Sequence, residues 1–186
     1  MWYVHSSFSK NKILVTFIRN NQFHFSKIQR LQNSNLSFEG CNATEIVQLN
    51  AISCSVSSQQ NLDRYSCDNV YDGLVSGYAF AWVTNSQQVG AWIEINLEST
   101  YTLTKVVALG RRSTTELFKD ITLHFGDGST TDFTLSRDHN TVWNEIVLPD
   151  MPISNYVKIT VNSVYGGTNI GFAEVKVFGC FSGKRV

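Results

Sequence analysis

Apolar and polar residues alternate with a period of two through most of the chain beyond residue 40. Ile93, Ile95 and Leu97 alternate with Trp92, Glu94 and Asn96, the signature of a strand with one buried and one open face. Ile121, Leu123 and Phe125 alternate with Thr122 and His124, and Gly126-Asp127-Gly128 turns the chain into Thr131–Leu135, with Phe133 and Leu135 expected inward. This is the clearest hairpin signal in the sequence. Ile46–Leu49 and Ile52–Ser57 read as earlier strands, and Tyr101–Leu109 as the most β-branched and so a central one. Val142–Leu148 ends at Pro149 and Pro152, Tyr156–Val161 buries Val157, Ile159 and Val161, and Phe172–Phe178 closes the series. No stretch of eleven or more residues carries a sustained helical stripe. Short strands at near-regular spacing, with turn signals between them, predict an all-β, antiparallel sandwich of the jelly-roll kind.

The chain has 186 residues, 42% of them hydrophobic, enough for one full core and short for two. The formal net charge of +0 argues against a nucleic-acid partner held by phosphate neutralisation. Residues 1–40 differ in character, with five Lys or Arg and one acid, Glu39. Their apolar run Ile13–Ile18 is only six residues long and is flanked by Lys10, Lys12 and Arg19, with no small-residue cleavage site after it. It is far too short for a bilayer-spanning helix. Residues 1–40 are expected to be an irregular leader or linker, a piece of a neighbouring domain or a non-native extension, with a secretory signal of unusual apolar region as the alternative, residues 41–181 the sandwich, and 182–186 a tail.

The cysteines are Cys41, Cys54, Cys67 and Cys180, with no C-x-x-C pair of the sort thiolate zinc sites need. Four cysteines allow three disulfide connectivities. A Cys54–Cys67 bond would close a short loop worth about 3 kcal/mol, and Cys41–Cys180 would then clasp the ends for about 4–5 kcal/mol. Four buried free thiols in a cytosolic protein are the alternative. The sequons Asn35-Leu36-Ser37 and Asn42-Ala43-Thr44 lean toward the secretory route and make Asn35 and Asn42 candidate glycosylation sites.

Asp72-Gly73 is a turn signal, because Asp bonds its own backbone and Gly accepts positive φ. Tyr78, Phe80 and Trp82 follow on alternate positions; such aromatics stack on sugar rings, dip into a bilayer interface or, for Trp82 above all, fill the core. Arg111-Arg112 sits at a strand end, where its planar donor forks suit hydroxyls, carboxylates or phosphates. Tyr165 and Asn169 flank Gly166-Gly167 in a loop expected at the same end. The histidines His5, His24, His124 and His139 are scattered, and there is no G-x-S-x-G elbow, H-E-x-x-H pair or phosphate-cradling glycine loop. Asp72 and Glu174 could be imagined as a glycosidase pair, but a tight turn suits a cation better. No enzymatic activity is expected.

These landmarks carry a resemblance. Ser57-Ser58, DNVYDG, Trp82, WIEINL, LGRR, FKDITLHFGDG, NYVKITV and GFAEVKVFGC occur in the order and spacing of the discoidin family, the coagulation factor five/eight type C domains of the galactose-binding-like fold, over residues of about 45–180. The resemblance implies a clasp between Cys41 and Cys180, with Cys54–Cys67 an additional bond. It implies a structural Ca2+ held by the Asp72 side chain, the Asn69 and Leu74 carbonyls, Thr84 and Glu174, since hard cations gather carboxylate and carbonyl oxygens. It further implies an extracellular binding module for a glycan or glycoconjugate, with Tyr78 or Phe80 stacking and Arg111 or Arg112 reading hydroxyls. An anionic membrane surface or a receptor protein in cell adhesion is the alternative partner.

Overall fold

The computed structural model describes residues 3–9, 12–19, 22–24, 41–42, 44–61, 64–75, 80–138 and 140–182, the first three ranges for their backbone alone. The chain divides into two compact units, Met1–Phe38 and Glu39–Val186. The first was expected to be irregular. Instead its backbone forms strands β1 (Tyr3–Ser9), β2 (Lys12–Arg19) and β3 (Gln22–His24), paired antiparallel in the order β1-β2-β3. Tyr3 pairs with Ile18 and Ser9 with Lys12. The β-branched Ile13, Val15, Thr16 and Ile18 favour extended backbone, and that local preference is the signal the leader reading discounted.

The second unit contains β4 (Val47–Gln48), β5 (Ala51–Val56), β6 (Trp82–Val83), β7 (Trp92–Gly110), β8 (Leu117–Phe118), β9 (Asp120–His124) and β10 (Thr130–Thr134). Then come β11 (Asn144–Val147), β12 (Ile153–Val161), β13 (Val164–Gly166) and β14 (Gly171–Phe181). One 3-10 turn, Cys67–Val70, stands between β5 and β6, and there is no α-helix among the described residues. All strand pairs are antiparallel, and the expected hairpin is β9–β10, with Phe133 opposite Ile121.

Strand β7 organises the sandwich. Trp92–Leu97 and Tyr101–Leu109, expected as separate strands, are halves of one 19-residue strand. Its first half pairs with β5, and β12, which in turn pairs with β9, runs beside it from Trp92 to Thr102 with a register shift between Ser154 and Tyr156. Its second half pairs with β11 and β14. The exposed Glu98, Ser99 and Thr100 mark the stretch where the strand exchanges β5 for β11 and β14 while β12 passes it with a register shift. Ile93, Ile95 and Leu97 from one half and Leu103, Val106 and Ala108 from the other are buried in one core with Val157, Ile159, Val175 and Val177. Beneath the loops that join β5 to β7, Trp82, Phe118 and Phe172 are fully buried, with ring centroids 6.2, 6.5 and 4.5 Å apart. Trp82 is therefore a core residue, and its Nε1 donates to the Ser58 carbonyl at 3.0 Å.

Both expected disulfides are present, Cys41–Cys180 and Cys54–Cys67. The first closes a separation of 139 residues at the end of β14, and the second ties β5 to the 3-10 turn. Replacing both Cys41 and Cys180 by Ser should lower the unfolding free energy by about 4–5 kcal/mol, against about 3 kcal/mol for the Cys54/Cys67 pair. Denaturant midpoints of the two double variants check the ranking.

Candidate functional site

Five loop segments meet above Trp82, and hydrogen bonds set their positions. From 57–60, Ser57 Oγ donates to Gln87 Oε1 at 2.7 Å and Ser58 Oγ accepts the Asn85 N–H. From 64–69, the Asn69 side chain donates to the carbonyls of Arg64 and Ala81, tying that loop to the start of β6. From 84–88, the Ser86 N–H donates to Asn169 Oδ1 at 3.2 Å, and Gln88 Nε2 donates to the Gly167 carbonyl. From 111–116, Arg111 donates to the Asn169 carbonyl and lies 2.9 Å from Glu116 Oε2. The fifth segment, 167–170, accepts from each of the last two. Gly167 has φ of +84°, and a Cβ there would fall 2.5 Å from the Glu116 Cα, so glycine is required both for the turn and for the approach of the two loops.

The expected ligand residues separate under this geometry. The Arg111 side chain is only 12% exposed and is committed to Glu116 and Asn169, so it holds loops together. Arg112, next in the chain, is exposed at the middle of a tight turn closed by the Ser113 N–H donating to the Arg111 carbonyl at 2.8 Å. Asn169 uses its Oδ1 and main-chain oxygen, leaving its Nδ2 without a partner among the described residues. Phe80 is 37% exposed, beside the Ala81 carbonyl that Asn69 holds. Tyr165 is not brought to this cluster: its hydroxyl donates to the Leu135 carbonyl at 2.9 Å, and Arg137 lies over its ring. Tyr78 lies outside the described residues, as do His139 and Asn35. Asn42 is exposed.

Two residues that sequence reading passed over belong to this rim. The Asn61 carbonyl accepts the N–H groups of Arg64 and Tyr65, which places their side chains beside the Arg111 loop. The Arg64 and Arg111 guanidiniums sit 5.5 and 5.9 Å from the centre of the Tyr65 ring. Neither residue lies in a periodic strand, so no pattern marked them; the nearest signal is the polar, turn-forming run from Ser57 to Ser66.

Beside the rim lies the Asp72 corner. Asp72 Oδ1 accepts the Leu74 N–H at 2.7 Å, and Gly73 has φ of +77°. The Gly73 N–H donates to Glu174 Oε2 at 3.3 Å, so the acid of the last strand does meet the early corner, across 101 residues of sequence. Glu174 is 1% exposed, and that N–H is the only hydrogen bond its carboxylate accepts among the described residues. Burial pushes its carboxyl from an ordinary 4.5 up to about 7; the Gly73 N–H and Lys176 pull it down, and the charge of Asp72 pushes it up. It borders a cleft of about 180 Å³ whose walls include Tyr71, Leu49 and Leu97. Of the other expected calcium ligands, Asn69 and Leu74 flank the corner, whereas the Thr84 hydroxyl is buried and directed at the Thr168 carbonyl at 3.5 Å. The Tyr71 hydroxyl donates to Asp68 and, burial acting first and that bond second, is raised to about 12. Cys54, Cys67 and Asp68 present metal-ligand types close together, but both sulfurs are in the disulfide. His124, a bystander on an outer face, is satisfied by Thr160 Oγ1 at 3.1 Å.

Solved structures identify the fold. A family 32 carbohydrate-binding module of NanJ from Clostridium perfringens, in complex with galactose, is 18% identical, with a TM-score of 0.56 over 73% of this chain and 94% of that one. Another family 32 module from Clostridium perfringens, in complex with GalNAc-β-1,3-galactose, is 14% identical, with a TM-score of 0.58 over 73% and 96%. A fucolectin from striped bass (Morone saxatilis) serum is 16% identical, with a TM-score of 0.57 over 69% of this chain and 45% of that one. The chain thus has the discoidin-like, galactose-binding-like β-sandwich fold. It belongs to the family described as a domain of unknown function (DUF7402), whose model matches residues 30–178. No curated protein matches it.

The buried Glu174 gives a pH dependence with a definite sign. Its folded-state value lies above its unfolded one, so without a bound cation the folded state holds the proton longer, and stability falls as pH rises from about 4.5 to about 7. Chelator-treated protein should melt at a lower temperature at pH 7.5 than at pH 5.5, and Glu174→Gln should flatten that slope in thermal scans.

Proposed function

We propose that this protein is a non-catalytic module that binds a carbohydrate through the loop rim above Trp82. The observation that carries the reading is the convergence of five loops, stitched by hydrogen bonds, around an exposed Arg112, an uncommitted Asn169 amide and a partly exposed Phe80. A rigid sandwich that positions polar forks and an aromatic face suits sugar hydroxyls and ring faces. The galactose and GalNAc-β-1,3-galactose complexes of the two bacterial modules support that choice of ligand class. Two disulfides suit an oxidising, extracellular setting.

Ca2+ completes this reading as an organiser of the rim. The residues fit it: Glu174 is a buried carboxylate short of partners, Asp72 adds a second acid at the same corner, and Asn69 and Leu74 offer nearby carbonyls. Thr84 has its hydroxyl turned to Thr168 and is a weaker member of the set. The cation would remove the cost of the buried charge and brace the corner that leads into the rim.

A glycan array should show carbohydrate binding, and Arg112→Ala should weaken it about tenfold, the loss of one charge-assisted hydrogen-bond pair. Absence of binding to every glycan would overturn the reading. Added Ca2+ should raise the melting temperature, and Asp72→Ala or Glu174→Ala should abolish that increase. A melting temperature indifferent to Ca2+ in the unsubstituted protein would remove the cation from the account.

A further inference from the structure

The rim is locally cationic in a chain of zero net charge. Its described cations are Arg64, Arg111 and Arg112, and the acids among them are Glu116, which Arg111 already holds at 2.9 Å, and Asp68, which accepts the Ser66 and Tyr71 hydroxyls. Neither Arg64 nor Arg112 forms an ion pair among the described residues. All three are arginine rather than lysine, which favours planar, two-point recognition over diffuse attraction. Tyr65, half-buried, lies between two of them: the Arg64 and Arg111 guanidiniums sit 5.5 and 5.9 Å from its ring centre, and Arg112 follows Arg111 on the exposed side of the same loop. The Tyr65 hydroxyl has no partner among the described residues, so the residue presents a free polar tip beside the two guanidiniums. Arg111 cannot turn away from it, being anchored to Glu116 and the Asn169 carbonyl. The Arg64 carbonyl is likewise fixed by the Asn69 side chain, which holds the base of the Arg64 side chain while its head stays in solvent.

We propose that Arg64, Tyr65 and Arg112 form a subsite for an anionic glycan, one bearing a carboxylate or sulfate group, with the free Tyr65 hydroxyl and the two unpaired guanidiniums gripping the acid. This rests on the carbohydrate reading above and narrows it to a substrate class. The zero net charge makes the subsite a local device. The chain lacks the field to gather polyanions from a distance, so recognition depends on a few fixed forks and should be felt by short oligosaccharides as strongly as by polymers. An anionic lipid headgroup shares the same charge, and the exposed Leu74, Val75 and Phe80 nearby could enter a bilayer. The fixed placement of Arg64 and Arg111 about the Tyr65 ring favours the sugar, since insertion into an interface needs no such ordered set of donors.

The experiment uses the full chain in Ca2+-containing buffer with three ligands built on galactose: a neutral galactan oligosaccharide, an oligogalacturonate and a sulfated galactan oligosaccharide. Phosphatidylserine vesicles form the fourth arm. At least one acidic oligosaccharide should bind about tenfold tighter than the neutral one at low salt, and the advantage should shrink as ionic strength rises. Arg64→Ala and Arg112→Ala should each reduce the acidic-to-neutral preference about tenfold, with Arg64→Lys intermediate, while melting temperatures stay unchanged because both side chains are exposed. Equal binding of neutral and acidic oligosaccharides would overturn the subsite and leave the carbohydrate reading standing. Binding to vesicles with no oligosaccharide bound would overturn both.

Discussion

The arrangement depends on one close approach, between the start of β14 and β6. A Cβ on Gly171 would fall 1.8 Å from the Trp82 carbonyl oxygen, so only glycine lets these two backbones pair. That pairing seats Trp82 on Phe172 and Phe118, which gives the rim loops a solid floor. It also sets where β14 runs next. Three residues on, an irregularity in its pairing with β7 between Phe172 and Glu174 delivers the Glu174 carboxylate to the Gly73 N–H. Core, rim and acidic corner are thus consequences of a single contact where a side chain is forbidden.

The rim divides its labour between neighbouring residues. Arg111 and Arg112 are identical in chemistry, yet the tight turn that begins at Arg111 sends one guanidinium inward to Glu116 and Asn169 and leaves the other in solvent. A buried, paired guanidinium is a rigid part, and an unpaired exposed one is free to take a ligand. The same contrast holds at Asn169, whose two oxygens hold loops and whose amide nitrogen has no partner among the described residues.

Much of the fold could be read from the chain. The alternation of Ile93, Ile95 and Leu97, the Gly-Asp-Gly hairpin and the run ending at Cys180 all place strands where they occur, because burial of one face imposes a period of two. The continuity of β7 could not be read. Glu98, Ser99 and Thr100 separate two apolar runs, and in fact they are the exposed stretch of one strand that exchanges β5 for β11 and β14, a property of the whole sandwich and of no local segment. The strands within residues 1–38 were lost for the opposite reason: the local β-preference of Ile13–Ile18 was there, but it carried no sign of a partner. At the site, Asp72 and Glu174 were brought together by resemblance alone, since nothing in sequence links residues a hundred apart. Arg64 and Tyr65 went unnoticed because their importance comes from packing beside Arg111, and loops carry no periodicity from which packing could be inferred.

The Cys41–Cys180 bond has a geometric corollary. Strand β14 begins under the rim and ends at this disulfide, and its eleven residues span roughly 30 Å at about 3.3 Å per residue. Polypeptide attached after Cys180 therefore leaves from the end of β14 opposite the loop rim, through a joint that pulling cannot open without breaking a covalent bond. Tension applied through such a tether would load the clasp and leave the loop rim unstrained.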